Sequence, residues 1–178
     1  MLMEHAKIMK ALAMAGEIVG RKKLQKMIYI AKKMNFPFYE KFGFHFYGPY
    51  SEELTLRIEE LCNLGFLNEV KEKKGGYFQY RYTLTEAGEE FLSHYDIEMP
   101  HLEECMQDMN EQNSRFLELV STILYFENLS KDEVKEKVFS LKSKQRYTEE
   151  EIEQAYVYIE NLRSKMTGWA DQKVPDLT

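Results

Sequence analysis

Residues 66–84, FLNEVKEKKGGYFQYRYTL, leave few folds open to this chain. Two stretches that alternate apolar and polar side chains, roughly 66–72 and 77–84, flank Lys73-Lys74-Gly75-Gly76. Alternation with a period of two is a strand pattern, and a glycine pair between two such runs supplies the backbone freedom of a tight turn. The segment therefore reads as a β-hairpin with a basic, glycine-rich tip.

Helical patterns precede it. Leu2, Ile8, Leu12 and Ala15 fall on one helical face, and Gly16 is placed to end that helix. In GRKKLQKMIYIAKKMNFP, Leu24, Met27, Ile28, Ala31 and Met34 recur at helical spacing, while Arg21, Lys22, Lys23, Lys26, Lys32 and Lys33 crowd the remaining surface until Asn35 and Pro37. This is a basic amphipathic helix. Residues 41–50, KFGFHFYGPY, switch to period two, with Phe42, Phe44 and Phe46 on one face and a turn signal at Gly48-Pro49, and read as a short strand or extended connection. Ser51 is placed to N-cap a third helix, with Glu52 and Glu53 complementing its dipole, Leu54, Ile58 and Leu61 facing inward, and Gly65 ending it.

Helices also follow the hairpin. Thr85 caps a fourth, EAGEEFLSHY, before a break at Pro100. Leu102, Cys105, Met106 and Met109 mark another, and RFLELVSTILYFENL is apolar around much of its circumference. Ser130 with Glu133 and Thr148 with Glu151 form capping boxes, the second opening a helix striped by Ile152, Ala155, Tyr156, Ile159, Leu162 and Met166. The reading is a mainly α chain of the α+β class: a winged helix-turn-helix with a two-stranded wing over residues 1–99, a C-terminal helical region over 100–167, and a disordered tail over 168–178. Phe116, Leu117, Leu119, Val120, Ile123, Leu124, Tyr125 and Phe126 exceed what one face of a monomer needs, which predicts a homodimer through the C-terminal helices.

Specific residues carry resemblances. IEELCNLGFL at 58–67 followed by YRYTLTEAG at 80–88 resembles the signature of bacterial winged-helix regulators of the MarR and PadR kinds. That resemblance implies DNA binding in transcription regulation and, for the PadR kind, dimerising C-terminal helices. Gly20 to Tyr29, GRKKLQKMIY, with Phe46 to Ser51, FYGPYS, resembles the YwgA-like family of small proteins from Bacillus and relatives, over nearly the whole chain. The same pair of motifs is similar, more distantly, to the Panacea domain of SocA-type antitoxins, which implies action through protein contacts.

Charge bears on the DNA reading. The net charge of −6 at first argues against a polyanion partner. Residues 1–85, however, carry 14 basic and 9 acidic side chains, a net +5, whereas 86–178 carry 10 and 21, a net −11. Charges separated by more than the Debye length of ~8 Å are largely screened from one another, so a positive half can still meet phosphates. The predicted contacts to double-stranded DNA are Arg21, Lys22, Lys23, Lys26, Lys32 and Lys33 on the second helix, Ser51 and Arg57 on the third, and Lys71, Lys73, Lys74 and Arg81 on the wing. The third helix opposes this reading: residues 51–64 carry Glu52, Glu53, Glu59 and Glu60 against Arg57 alone. An acidic helix suits a basic protein partner better, so an interaction module that does not touch DNA is the alternative.

Other chemistry is sparse. Cys62 and Cys105 fit neither a disulfide framework nor a CxxC site and read as reduced structural thiols, Cys62 being flanked by glutamates that oppose a redox-sensing thiolate. His94, Asp96, Glu98, His101, Glu103 and Glu104 match no closed zinc spacing, and His5 and His45 have no evident catalytic partner. The sequence holds no nucleophile elbow, P-loop, GxGxxG or HExxH, so neither an enzyme nor a cofactor is expected. The N-terminal sequence lacks the apolar core of a signal peptide, and a cytoplasmic protein is expected. The aromatic set Phe36, Phe38, Tyr39, Phe42, Phe44, Phe46, Tyr47 and Tyr50 reads first as core packing between the second and third helices and second as a surface platform.

Overall fold

Among the described residues, eight α-helices and five strands follow one another as α1 (Leu2–Ala15), β1 (Ile18–Val19), α2 (Arg21–Lys33), β2 (Gly43–His45), β3 (Gly48–Tyr50), α3 (Glu52–Asn63), β4 (Leu67–Lys74), β5 (Tyr77–Leu84), α4 (Glu86–Ser93), α5 (Leu102–Asn110), α6 (Ser114–Tyr125), α7 (Lys131–Leu141) and α8 (Glu149–Lys173). The computed structural model describes residues 2–173. Strands pair in the order β1-β5-β4 in one antiparallel sheet, and β2 pairs with β3 in another. The chain is thus mixed α and β, mostly helical.

Local chemistry accounts for most boundaries. Gly16 ends α1 at φ +85°, a backbone region that glycine enters without steric penalty. Ser51 Oγ accepts the Leu54 N–H at 3.0 Å, and Thr85 Oγ1 accepts that of Gly88 at 2.9 Å. The Ser130–Glu133 and Thr148–Glu151 boxes both close reciprocally. Gly88 serves a different need: a Cβ there would lie 2.1 Å from the Phe66 carbonyl oxygen. Only glycine lets α4 sit that close to the turn that enters β4.

The β4–β5 hairpin, the expected wing, turns more tightly than its sequence suggests. The strands continue through Lys74, paired with Tyr77, so Gly75-Gly76 alone make the turn. Lys73 and Lys74 are therefore strand residues on opposite faces, Lys73 sharing its face with Lys71. A third strand was not predicted, because two residues give no periodicity: Ile18 and Val19 pair with Tyr82 and Arg81.

The connection between α2 and α3 also departs from expectation. Residues 34–51 separate the two helices, and they include the β2–β3 hairpin with Phe46-Tyr47 at its tip. The tight turn of a helix-turn-helix, three or four residues long, is absent. Buried charge holds the inserted hairpin in place. Lys26 Nζ donates to the Pro49 carbonyl at 2.9 Å and Lys142 Nζ to the Phe46 carbonyl at 2.8 Å, with Glu118 Oε2 3.8 Å from Lys142. Gly48, at φ +92°, fits against Lys26, Glu118 and Thr122.

Buried apolar residues from both ends of the chain form one cluster. α2 packs on α6 and α1 on α5, so a boundary at residue 99 separates no cores. Leu117, Val120, Ile123 and Leu124 are at most 1% exposed, enclosed by α2, α7, α8 and β3. The apolar surplus that motivated a homodimer is thus absorbed inside the single chain. The backbone of α8 stays helical to Lys173, past the predicted start of the tail at 168; the remainder of that tail, 174–178, lies outside the described residues. Among the described residues, no helix is long and apolar enough to cross a membrane.

Candidate nucleic-acid interface

α2 presents its basic residues in two directions, and only one of them reaches solvent. Lys26 is 2% exposed, and burial pulls its pKa down to about 8. Lys23 Nζ is tied to the Asn110 carbonyl at 2.6 Å, Lys32 Nζ to that of Glu40 at 2.5 Å, and Lys33 lies 3.8 Å from Glu127. Arg21 and Lys22, at the start of the helix, are exposed. Of the second-helix candidates these two are the exposed ones, Lys22 without an ion pair among the described residues and Arg21 while donating to the Tyr82 hydroxyl at 3.3 Å and lying 3.7 Å from Glu69.

Ser51 and Arg57 are corrected outright. Ser51 is fully buried, capping α3 while its backbone exchanges hydrogen bonds with the Gln25 side chain at 2.9 and 3.0 Å. Arg57 is ion-paired with Glu40, a carboxylate with no exposure. Burial raises the Glu40 pKa, the cation opposing that rise. Arg81 is likewise held, by Glu17 and by Glu72 at 2.9 Å. Lys71, Lys73 and Lys74 are exposed on the wing and make no ion pair among the described residues.

Three of these cations, Arg21, Lys22 and Lys71, lie against aromatic rings in one row. Lys71 Nζ sits 4.4 Å from the Phe78 ring centroid and 6.0 Å from that of Tyr80, whose other neighbour is the Arg21 guanidinium at 3.6 Å. Next along α2, Lys22 Nζ lies 3.2 Å from the Tyr47 centroid. Tyr47 packs edge-on against Phe46 at 5.0 Å, and Lys144 approaches Phe46 at 5.6 Å. Phe46 and Phe78 are 66% and 57% exposed, so the rings keep open surface despite their cations. The row joins the wing, the start of α2 and the tip of the inserted hairpin.

A groove of about 760 Å³ opens beside the row, between α2 and α3. Arg21, Lys22, Tyr47, Tyr50, Ile58 and Tyr82 line it, with Thr55, Glu59, Cys62, Asn63 and Glu69. Glu69 accepts from the Tyr82 hydroxyl at 2.6 Å and lies 3.7 Å from Arg21. Cys62, half-buried beside Glu69 and Glu59, has its thiol pushed up to about 11, chiefly by burial. It is protonated at neutral pH, contrary to what a thiolate sensor needs. Cys105 is buried within the helical core.

The aromatic set divides. Phe36 and Phe38 are buried, and Phe44 packs on Tyr125 and Phe126 of the α6 end at 5.2 and 5.3 Å. Phe42 meets Tyr29 of α2 at 5.0 Å. The packing is therefore against α2 and α6 rather than between α2 and α3, and Phe46 and Tyr47 are surface residues. His5, which had no evident partner in the sequence, meets Glu60 at 3.2 Å. Among the described residues, no group of three His, Cys, Asp or Glu side chains is placed to hold a metal ion.

The outer face of α3 has the opposite character. Glu52, Glu53, Leu56, Glu60 and Leu64 follow one another at helical spacing and are exposed, Leu56 by 58% and Leu64 by 55%. The sequence hid the row more than it hid this face. Lys71 opposite Tyr80 and Lys73 opposite Phe78 become readable once the turn is assigned to two glycines, whereas the Tyr47 and Lys144 contributions depend on tertiary packing.

No family model matches the chain. Its sequence is 69% identical over 163 residues, 92% of this chain and 98% of the relative, to a protein of Bacillus subtilis (strain 168) named "Uncharacterized protein YwgA".

Proposed function

This chain belongs to the YwgA-like family, and on that premise we propose that it is a winged-helix-type protein that binds nucleic acid through the wing and the start of α2. The support for the winged-helix part is topological. α1, β1, α2, α3, β4 and β5 run in the winged-helix order, their strands pair β1-β5-β4, and the β4–β5 hairpin occupies the wing's place. The departure is the inserted β2–β3 hairpin, which stands where a tight turn would.

The observation that carries the binding reading is the row Phe78, Lys71, Tyr80, Arg21, Lys22, Tyr47 and Phe46. Its cations suit phosphates, and interleaved rings are the companion that nucleic-acid surfaces add to charge. Phosphate contacts release condensed counterions, so affinity must fall with salt, steeply in proportion to their number. The test is a salt titration of oligonucleotide binding. Lys22→Ala, Lys71→Ala and Lys73→Ala should each reduce the slope of log affinity against log salt by about 1. Salt-independent binding, or a slope insensitive to all three exposed lysines, overturns the reading.

A second reading draws on Leu56 and Leu64. Two exposed leucines among glutamates suit a basic amphipathic segment of a partner protein, whose apolar residues would cover them while its cations meet Glu52, Glu53 and Glu60. It predicts a complex that Leu56→Ser with Leu64→Ser abolishes, with nucleic-acid affinity unchanged. A complex that survives both substitutions removes this reading.

A further inference from the structure

We infer that the nucleic acid is single-stranded and that one unpaired base enters the groove between α2 and α3. The inference rests on the nucleic-acid reading and narrows it.

Three observations lead there. The first is the open surface of the rings. Phe46, Phe78 and Tyr77 are 66%, 57% and 63% exposed, and Tyr77 stands beside the wing turn. Paired bases within a duplex present only their edges to a protein, whereas unpaired bases offer faces on which a ring can stack. Base–ring stacking contributes ~1–3 kcal/mol per base and tolerates any sequence.

The second is the charge on α3. A helix laid in a major groove lies between two rows of phosphates. Glu52, Glu53 and Glu60 on the exposed face of α3 would meet those phosphates with like charge, and Arg57, the basic residue of the helix, is already engaged by Glu40. A flexible single strand can follow the row and bypass that face. A rigid duplex cannot bend around it without cost.

The third is the groove itself. At about 760 Å³ it lies within the ~300–1,000 Å³ range of small-ligand pockets and is ample for a base. Its walls supply ring surface from Tyr47 and Tyr50, and the Asn63 amide in its lining can both donate and accept. Arg21 and Lys22 belong to the groove and to the row alike. A strand with phosphates on these two cations therefore has a neighbouring base within reach of the groove. Glu59 is a further acceptor there, suited to a base that presents an exocyclic amino group.

Fluorescence anisotropy of the full chain with labelled strands of about 12 nucleotides tests the inference, using one mixed sequence as DNA, as RNA and as the DNA duplex. The expected result is single-strand affinity at least tenfold above duplex affinity at about 100 mM salt, the DNA and RNA arms separating the two sources of the strand. Asn63→Trp, which adds a large ring at the lining of the groove, should remove most of that preference. Tyr47→Leu is a second variant, expected to lower single-strand affinity roughly fivefold or more. Equal affinity for strand and duplex, with both substitutions silent, overturns the groove and leaves the salt-dependent reading intact. No binding to any of the three overturns both.

Discussion

The exposed face of α3 and the row along the wing and α2 sit on neighbouring elements and have opposite chemistry. α3 shows carboxylates and two bare leucines; the row shows cations set against rings. In a winged helix that reads a duplex, the third helix would be the contact and the wing its accessory. On the proposed reading, charge reverses that ranking. The difference teaches that fold and surface chemistry are set separately, fold by the apolar faces and binding chemistry by what those elements leave outside.

The largest expected effect breaks the joint that holds both regions. Gly88→Ala places a methyl group against the Phe66 carbonyl oxygen, at an ideal separation of 2.1 Å. Neither backbone can yield locally, so a loss of at least about 3 kcal/mol is expected in denaturant unfolding. Unchanged stability would mean that α4 is not seated against the β4 entry as described.

Next in size is a comparison within α2, between Lys22 and Lys26. They are one turn apart, yet one stands in solvent over Tyr47 and the other is buried under the inserted hairpin. Burial depresses the Lys26 pKa from 10.5 to about 8. Between those values the unfolded chain holds a proton that the folded chain has released, so this group's contribution to stability rises with pH across that window. Lys26→Met should flatten that rise, a change on the order of 2 kcal/mol between its two ends. Chemical unfolding at pH 7.5 and at pH 10.5, roughly the two ends of the titration, measures it. Lys22→Met should keep the rise; a rise that survives Lys26→Met, or that Lys22→Met removes, would contradict the assignment to the buried lysine.

How much of this was legible in the sequence depends on the range of the interactions. Caps, stops and the wing are written in neighbouring residues, and Ser51, Thr85, Ser130 and Gly16 sit where their local chemistry places them. The inserted hairpin was visible only as a period-two run, because its stability comes from Lys26 and Lys142, far apart in the chain and both ending on its carbonyls. Surface availability was the least legible property. Lys22 and Lys26 are the same residue type on one amphipathic helix, and Arg57 and Arg81 lose their freedom to Glu40, Glu17 and Glu72 only through tertiary placement. α6 was ambiguous for a related reason: an all-round apolar helix fits a dimer interface and a monomer core equally well, and within the chain it packs on α2, α7, α8 and β3.

A smaller effect sharpens the contrast in stability alone. Leu56→Ser with Leu64→Ser should change unfolding free energy by no more than about 0.5 kcal/mol per site, since both side chains are more than half exposed. A larger loss would place α3's outer face against something within the chain and end its candidacy as a free surface.

Whether either face meets nucleic acid, and which, can be read directly by following backbone amide resonances while a single-stranded oligonucleotide is added. The account predicts shifts concentrated at Arg21, Lys22, Tyr47, Lys71, Phe78 and Asn63, with Glu52, Leu56 and Glu60 unmoved. Shifts centred on Leu56 and Glu60, with the wing silent, would contradict it.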